Sequence, residues 1–231
     1  MSPSSQCRLH SWQLRTLRKS QSKRNSNKAI SLTKRRRRYQ RGRDRTRSAL
    51  GPLGANHLTT GLYVGRFQPF HLGHLQAVKY ILGKVDDLTI VVGSAQHSHT
   101  IDNPFTAGER ITMIRLALKE ARVPAHRFTV IPLPDDEFHK VWVAHLLSQT
   151  PSFDVAFTNE PLTFRLLKEA GLRVQSIPMF NRRKFTSTEV RRRLLRNGPW
   201  RELLPKSVSR YLKQVGGDER LRDISKSDKA T

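Results

Sequence analysis

Between Leu62 and Ile177, short apolar runs alternate with stretches of helical periodicity, and this alternation narrows the fold more than any other feature. Leu62-Tyr63-Val64 reads as a short strand ending at Gly65, and Leu75, Val78, Ile81 and Leu82 then recur at helical spacing. Leu88 to Gly93 is apolar almost throughout, as a parallel strand covered on both faces must be. Thr106 and Glu109 have the spacing of a capping box, and Ile111, Ile114 and Leu118 follow on one helical face. Phe128–Pro132 is the third expected strand, and Phe138–Leu147, carrying Trp142, the next helix. Val155–Thr158, Pro161–Ala170 and Leu172–Ile177 read as strand, helix and strand, with Gly171 ending the helix. Helices are expected from about Thr186 and Val208, then a polar tail over residues 216–231. Strand–helix–strand units joined by right-handed crossovers make a parallel sheet. The expected class is α/β: an open parallel sheet with helices on both faces, built by residues 58–215, with ligands received at the carboxyl ends of the strands.

Composition shows what surrounds that domain. The chain is 231 residues long, 36% apolar and 26% charged, with a formal charge of +25. Of 43 Lys and Arg, 16 fall in residues 1–57, which hold only one acid, Asp44. That segment is rich in Ser, Asn and Gln, contains Lys34-Arg35-Arg36-Arg37-Arg38 and lacks periodicity. Ordering it costs roughly 1–2 kcal/mol per residue, more than its apolar content offsets. It is expected to be a disordered basic arm. Four readings of it stay open: a solvated tail, an upstream extension from a wrongly chosen start codon, a polyanion or nucleic-acid binder, or an Arg- and Ser-rich targeting segment. No run of about 18 apolar residues is present, so no membrane span is expected. The single cysteine, Cys7, excludes an intrachain disulfide or a cysteine-based zinc site. A soluble, cytoplasmic protein is expected.

The strongest chemical signal is Gly65-Arg66-Phe67-Gln68-Pro69-Phe70-His71-Leu72-Gly73-His74, between the first strand and first helix. His71 and His74 are three apart, so at a helix start both rings lie on one side of the first turn. Gly73 carries no side chain and allows close approach to the backbone. Free amides at the helix start add a partial positive charge. Two imidazoles, Arg66 and these amides make a polyphosphate site, distinct from a P-loop or a G-x-G-x-x-G loop. A second cluster is Thr186-Ser187-Thr188-Glu189-Val190-Arg191-Arg192-Arg193. Thr188 and Arg191 share a helical face, whereas consecutive arginines diverge by about 100°. Arg191 is therefore the candidate to grip a phosphate chain. Taken alone, the same stretch also reads as a basic, solvated helix.

Together these motifs resemble the archaeal-type nicotinamide-mononucleotide (NMN) adenylyltransferases of the H-x-G-H nucleotidyltransferase superfamily. Ser94-Ala95-Gln96, Asn103-Pro104-Phe105-Thr106-Ala107-Gly108-Glu109-Arg110, the Asp135 segment and Trp142-Val143-Ala144-His145 match in the family's order, over roughly residues 60–215. The resemblance implies a Rossmann-like fold. It implies adenylyl transfer from ATP to NMN, giving NAD and pyrophosphate with Mg²⁺, and a homo-oligomer, often a hexamer. It implies ATP at Gly65, Arg66, Phe67, His71, Gly73, His74, Thr188 and Arg191, with His71, His74, Arg66 and Arg191 catalytic. NMN would meet Ser94, Gln96, Asp135, Asp136 and Trp142, whose ring would stack on the cationic nicotinamide. No protein metal ligands are implied. Another acceptor, flavin mononucleotide or phosphopantetheine, fits the same reaction type.

Blander readings stand beside these. Trp142 fits an ordinary helix core, Asp135 and Asp136 fit capping or first-turn acids, and Ser94 and Gln96 fit a turn. His97, His99 and Asp102 have a metal-like spacing but read better as loop residues. The sequence departs from the family pattern at Thr158-Asn159-Glu160-Pro161, where relatives usually have Ser-Gly-Asn-Pro. It departs again at His139, commonly Asn, and at Ser187, usually Gly.

Overall fold

The structure is a computed structural model that describes residues 58–181 and 183–227. The expectations for residues 1–57 lie outside the described residues. Five strands, β1 (Thr60–Gly65), β2 (Asp87–Val92), β3 (Phe128–Pro132), β4 (Val155–Phe157) and β5 (Val174–Gln175), form one sheet in the order β3-β2-β1-β4-β5. Every neighbouring pair is parallel. Among the described residues the α-helices, in chain order, are α1 (Leu72–Leu82), α2 (Ala107–Glu120), α3 (His139–Gln149), α4 (Pro161–Glu169), α5 (Ser187–Leu195), α6 (Lys206–Gln214) and α7 (Gly217–Ser227).

Pleating sends alternate strand residues to opposite faces. Leu62, Val91 and Ala156 pack with Val143 and Leu146 of α3 and Leu167 of α4. Tyr63, Ile90, Val92 and Phe157 belong to the larger core on the other face, with Val78, Met113, Val190, Val208 and Leu221 from α1, α2, α5, α6 and α7. Both faces are therefore covered, as the apolar strands require. The chain leaves β1 toward β2 on one side and later returns to β4 on the other. The switch in strand order falls at β1, and open α/β sheets hold ligands in the crevice beyond the strand ends there.

Two expectations need correction. β5 keeps only Val174–Gln175 of the expected Leu172–Ile177, because it lies at the sheet edge and pairs only with β4. Residues 217–227 are a helix, not a polar tail. Leu221 of that helix is fully buried. Arg220 donates from both terminal nitrogens to the Glu109 carboxylate, each at 2.8 Å. One apolar anchor and a bidentate ion pair fasten a segment whose composition suggested solvent.

Candidate active site

The segment after β1 is bent by close internal packing. Phe67 adopts a left-handed φ of 52°. Its ring folds back on Gly65, where an added Cβ would lie 2.7 Å from the ring. Only glycine fits beneath that ring. The buried Gln68 amide donates to Phe105 O at 2.9 Å and accepts from Phe105 N at 3.0 Å. This pair of bonds ties the segment to the start of α2. The Gln68–Pro69 peptide is cis.

His71 is the N-cap of α1, and it forms with His74 a capping box made of two imidazoles. His74 N donates to His71 Nδ1 and His71 N donates to His74 Nδ1, each at 3.3 Å. The rings stack with centroids 3.6 Å apart, and Phe67 packs edge-on against His74. Burial lowers His71 from the ordinary histidine value of 6.5 to about 3. Burial, then repulsion from His71, lowers His74 well below 6.5. Both rings are neutral at pH 7, and each Nδ1 accepts an amide proton. The remaining proton of each ring therefore sits on Nε2, giving two neutral N–H donors on the first turn. An added Cβ at Gly73 would meet Phe185 at 3.0 Å and the His71 ring at 3.1 Å. The glycine admits those two groups to contact with the helix.

α5 is locked against the same segment. Thr186 caps it by accepting from Glu189 N at 3.0 Å. Ser187 Oγ donates to Pro69 O at 3.2 Å, so this departure from the family pattern is used as a fastening. The buried Arg191 donates to Gln68 O at 3.1 Å and to the Asp102 carboxylate at 2.9 Å. Arg192 and Arg193 turn instead to Glu189. One guanidinium of the three thus faces the strand ends. Burial lowers the Arg191 pKa, Asp102 opposes this, and the charge of Arg66 adds to the lowering. Arg66 is itself exposed, and so is Thr188 in the first turn of α5. The charges of Arg66 and Arg191 act on each other, and Ser187 in the first turn of α5 is bonded to the segment that leads into α1.

Beyond β2 and β3 lies a second group. Ser94, with a left-handed φ of 50°, donates its amide to Asp135 Oδ1 at 3.2 Å. Asp135 N donates to Gln96 Oε1 at 3.0 Å. Asp136 Oδ2 lies 3.0 Å from His145 Nδ1. Because α3 opens at His139 with no acid in its first turn, the reading of Asp135 and Asp136 as first-turn acids does not hold. They bind loop and side-chain partners instead. Trp142 is half-buried at the edge of the α3 core, one turn before His145. His97 contacts Gln96, His99 contacts Ser98, and Asp102 goes to Arg191, so the metal-like trio is pulled three ways.

Three positioning groups were not singled out from the sequence. Asn159 brackets Ile177 with two bonds, from Nδ2 to Ile177 O at 2.7 Å and to Oδ1 from Ile177 N at 2.8 Å. Its neighbour Glu160 caps α4. The Thr-Asn-Glu-Pro departure thus joins the ends of β4 and β5 through side chains. Arg110 is fully buried among main-chain carbonyls. A charged residue one turn before Met113 and Ile114, on the buried face of α2, was the available signal.

A parallel α/β sheet whose first helix is capped by an H-x-G-H pair at the switch in strand order defines a nucleotidyltransferase. The family model described as cytidylyltransferase-like matches residues 62–193. Within that class the chain belongs to the nicotinamide-nucleotide adenylyltransferases. It is 49% identical over 172 residues to the nicotinamide-nucleotide adenylyltransferase of Saccharolobus solfataricus, covering 74% of this chain and 100% of the relative. It is 48% identical to that of Archaeoglobus fulgidus, covering 72% of this chain and 97% of the relative. Its fold is similar to the crystal structure of a bifunctional NMN adenylyltransferase/ADP ribose pyrophosphatase from Francisella tularensis, complexed with AMP and a manganese ion. The TM-score is 0.62 at 20% identity, covering 75% of this chain and 53% of that one. At that identity the likeness is one of fold alone.

Proposed function

We propose that this chain transfers the adenylyl group of ATP to the 5′-phosphate of NMN, forming NAD and pyrophosphate in NAD synthesis. The observation that supports the reading most is the pair of stacked histidines capping α1, beginning three residues after Gln68, whose carbonyl holds the Arg191 guanidinium. A phosphate oxygen of NMN attacks the α-phosphorus of ATP in line. The new P–O bond forms as the bond to the bridging oxygen breaks, and its electrons leave with pyrophosphate. The attacking phosphate is already anionic at neutral pH, so no general base is required. Catalysis is alignment together with stabilisation of shifting charge.

In this reading the Nε2–H groups of His71 and His74 donate to ATP phosphate oxygens. As neutral donors they take no compensating charge from Arg66 and Arg191, which hold the triphosphate. Thr188 and the amides of α5 complete that cradle, while Gly65, Phe67 and Gly73 shape its floor. Arg191 exchanges its Asp102 partner for phosphate. Ser94, Gln96, Asp135, Asp136 and Trp142 form the NMN side, with the indole on the nicotinamide ring. Among the described residues no group of three or more His, Cys, Asp or Glu could cage a metal. Mg²⁺ would be held with the ATP phosphates and would supply further charge neutralisation there. A homo-oligomeric assembly in the cytoplasm belongs to the same proposal, on the family resemblance. No described helix is long and apolar enough to cross a membrane.

The test is pyrophosphate release with ATP and Mg²⁺ against a panel of acceptors: NMN, nicotinic acid mononucleotide, flavin mononucleotide and phosphopantetheine. NMN is expected to be turned over. Release with flavin mononucleotide or phosphopantetheine but not NMN overturns the acceptor assignment.

A further inference from the structure

Arg110 has no exposed surface, and its side-chain bonds run to main-chain oxygens of three separate segments. Nη1 donates to Arg66 O at 3.0 Å and to Gly93 O at 2.8 Å. Nη2 donates to Ser94 O at 3.0 Å, and Nε to Thr106 O at 3.2 Å. Asp135 acts on it through space, favouring the charged form against the larger effect of burial. Burying a guanidinium is costly unless its donors are satisfied. Here the satisfying groups are the carbonyls of the two loops that leave β1 and β2. Arg66 stands on the ATP side of the proposed site and Ser94 on the NMN side. The planar fork bonds both loops at once from one rigid group. A lysine ammonium, a point donor on a flexible stem, cannot bridge the same set of oxygens.

We propose that Arg110 is a positioning residue of the transfer, setting the spacing between the Arg66 loop and the Ser94 loop so that the two substrates meet in line. The inference rests on the functional reading above. Two further features agree with it. Ser94 holds a left-handed backbone that its own side chain does not favour, so something must fix it, and Arg110 holds its carbonyl while Asp135 holds its amide. Arg110 also lies in the N-terminal part of α2, whereas Leu118, buried on the same helix, lies about two turns further along it.

A positioning role separates catalysis from binding, because a misplacement of about 1 Å can cost on the order of 10²-fold in rate while each substrate still finds its own contacts. Arg110→Lys keeps the charge and stem but loses the fork, and Arg110→Gln loses both. Leu118→Ala serves as a variant destabilised in the same helix far from the site. With ATP, NMN and Mg²⁺, Arg110→Lys is expected to lose about 100-fold in kcat. The calorimetric Kd for ATP and for NMN, each measured alone, should change by less than about threefold. Leu118→Ala, assayed well below its melting point, should keep kcat within about twofold. An Arg110→Lys enzyme within about threefold of wild-type kcat, or one whose loss matches that of Leu118→Ala, overturns the inference.

Amide hydrogen exchange of the substrate-free full chain supplies a readout independent of turnover. Residues 93–97 should exchange faster in Arg110→Lys and Arg110→Gln but not in Leu118→Ala; no difference overturns the inference. If neither arginine variant folds, the wild-type chain still decides. Slowly exchanging Nη protons of the Arg110 guanidinium, followed by NMR, support the brace, since they are the groups bonded to Arg66 O, Gly93 O and Ser94 O, and freely exchanging ones refute it. If wild-type protein makes no NAD, the functional reading fails, and exchange still judges the brace.

Discussion

The two-histidine capping box makes stability depend on pH in a definite direction. Protonating either ring puts a second N–H on the nitrogen that now accepts an amide, so the charged form loses the capping bond as well as suffering burial. In the unfolded chain both rings titrate normally, near 6.5, whereas His71 in the fold is held at about 3. The folded value is depressed, so the full contribution is present above about pH 6.5. It falls as pH drops through 6.5 toward 3, because the unfolded state takes up protons first. Each pH unit inside that window is worth about 1.4 kcal/mol per group. Between about pH 7.5 and pH 5, His71 alone should therefore cost about 2 kcal/mol of unfolding free energy. His74 is shifted in the same direction and adds to the loss. Glu189, held to about 2 by Arg192 and then Arg193, titrates below that window. The assay is urea unfolding of the substrate-free protein at several pH values, beside His71→Asn, which can cap a helix without titrating. Wild type should lose stability steeply from pH 6.5 to 5, and His71→Asn less steeply. A wild-type stability flat to within about 0.5 kcal/mol over that range, or an unchanged slope in His71→Asn, would show that the rings are not held neutral.

Further perturbations probe other parts of the site and its support. Trp142→Ala should raise KM for NMN by at least about tenfold, on the order of 1.4 kcal/mol of lost stacking, with KM for ATP little changed in initial-rate kinetics. Leu221→Ala should destabilise by about 2–5 kcal/mol in chemical denaturation, because its side chain is fully buried; a solvated C-terminal tail would give almost no change. Gly217→Ala should destabilise by about 1–3 kcal/mol, since the new Cβ would sit 2.7 Å from the Phe105 ring.

The sheet and most of its helices were legible because apolar periodicity and capping residues act locally. Thr106 and Thr186 cap the helices their spacing predicted. The place of the H-x-G-H pair, between the end of β1 and the first turn of α1, was legible. Its reciprocal capping geometry was not, because that depends on which ring nitrogen meets which amide. The C-terminal helix was missed for a tertiary reason. Its low apolar content hid a single buried leucine and an ion pair to Glu109, a residue 111 positions earlier than its partner Arg220. The roles of Asn159 and Arg110 were hidden in the same way, because their partners are main-chain oxygens and amides brought near only by the finished sheet.

The central claim is that the crevice at the β1 switch joins ATP to NMN through the histidine pair. It is tested most directly by the initial rate of NAD and pyrophosphate formation from ATP, NMN and Mg²⁺, with full-length wild type and His74→Ala side by side. Wild type should form the two products in equal amounts, and folded His74→Ala should turn over slower by about 10²-fold or more. Absence of NAD with wild type, or near-normal turnover by His74→Ala, would contradict it.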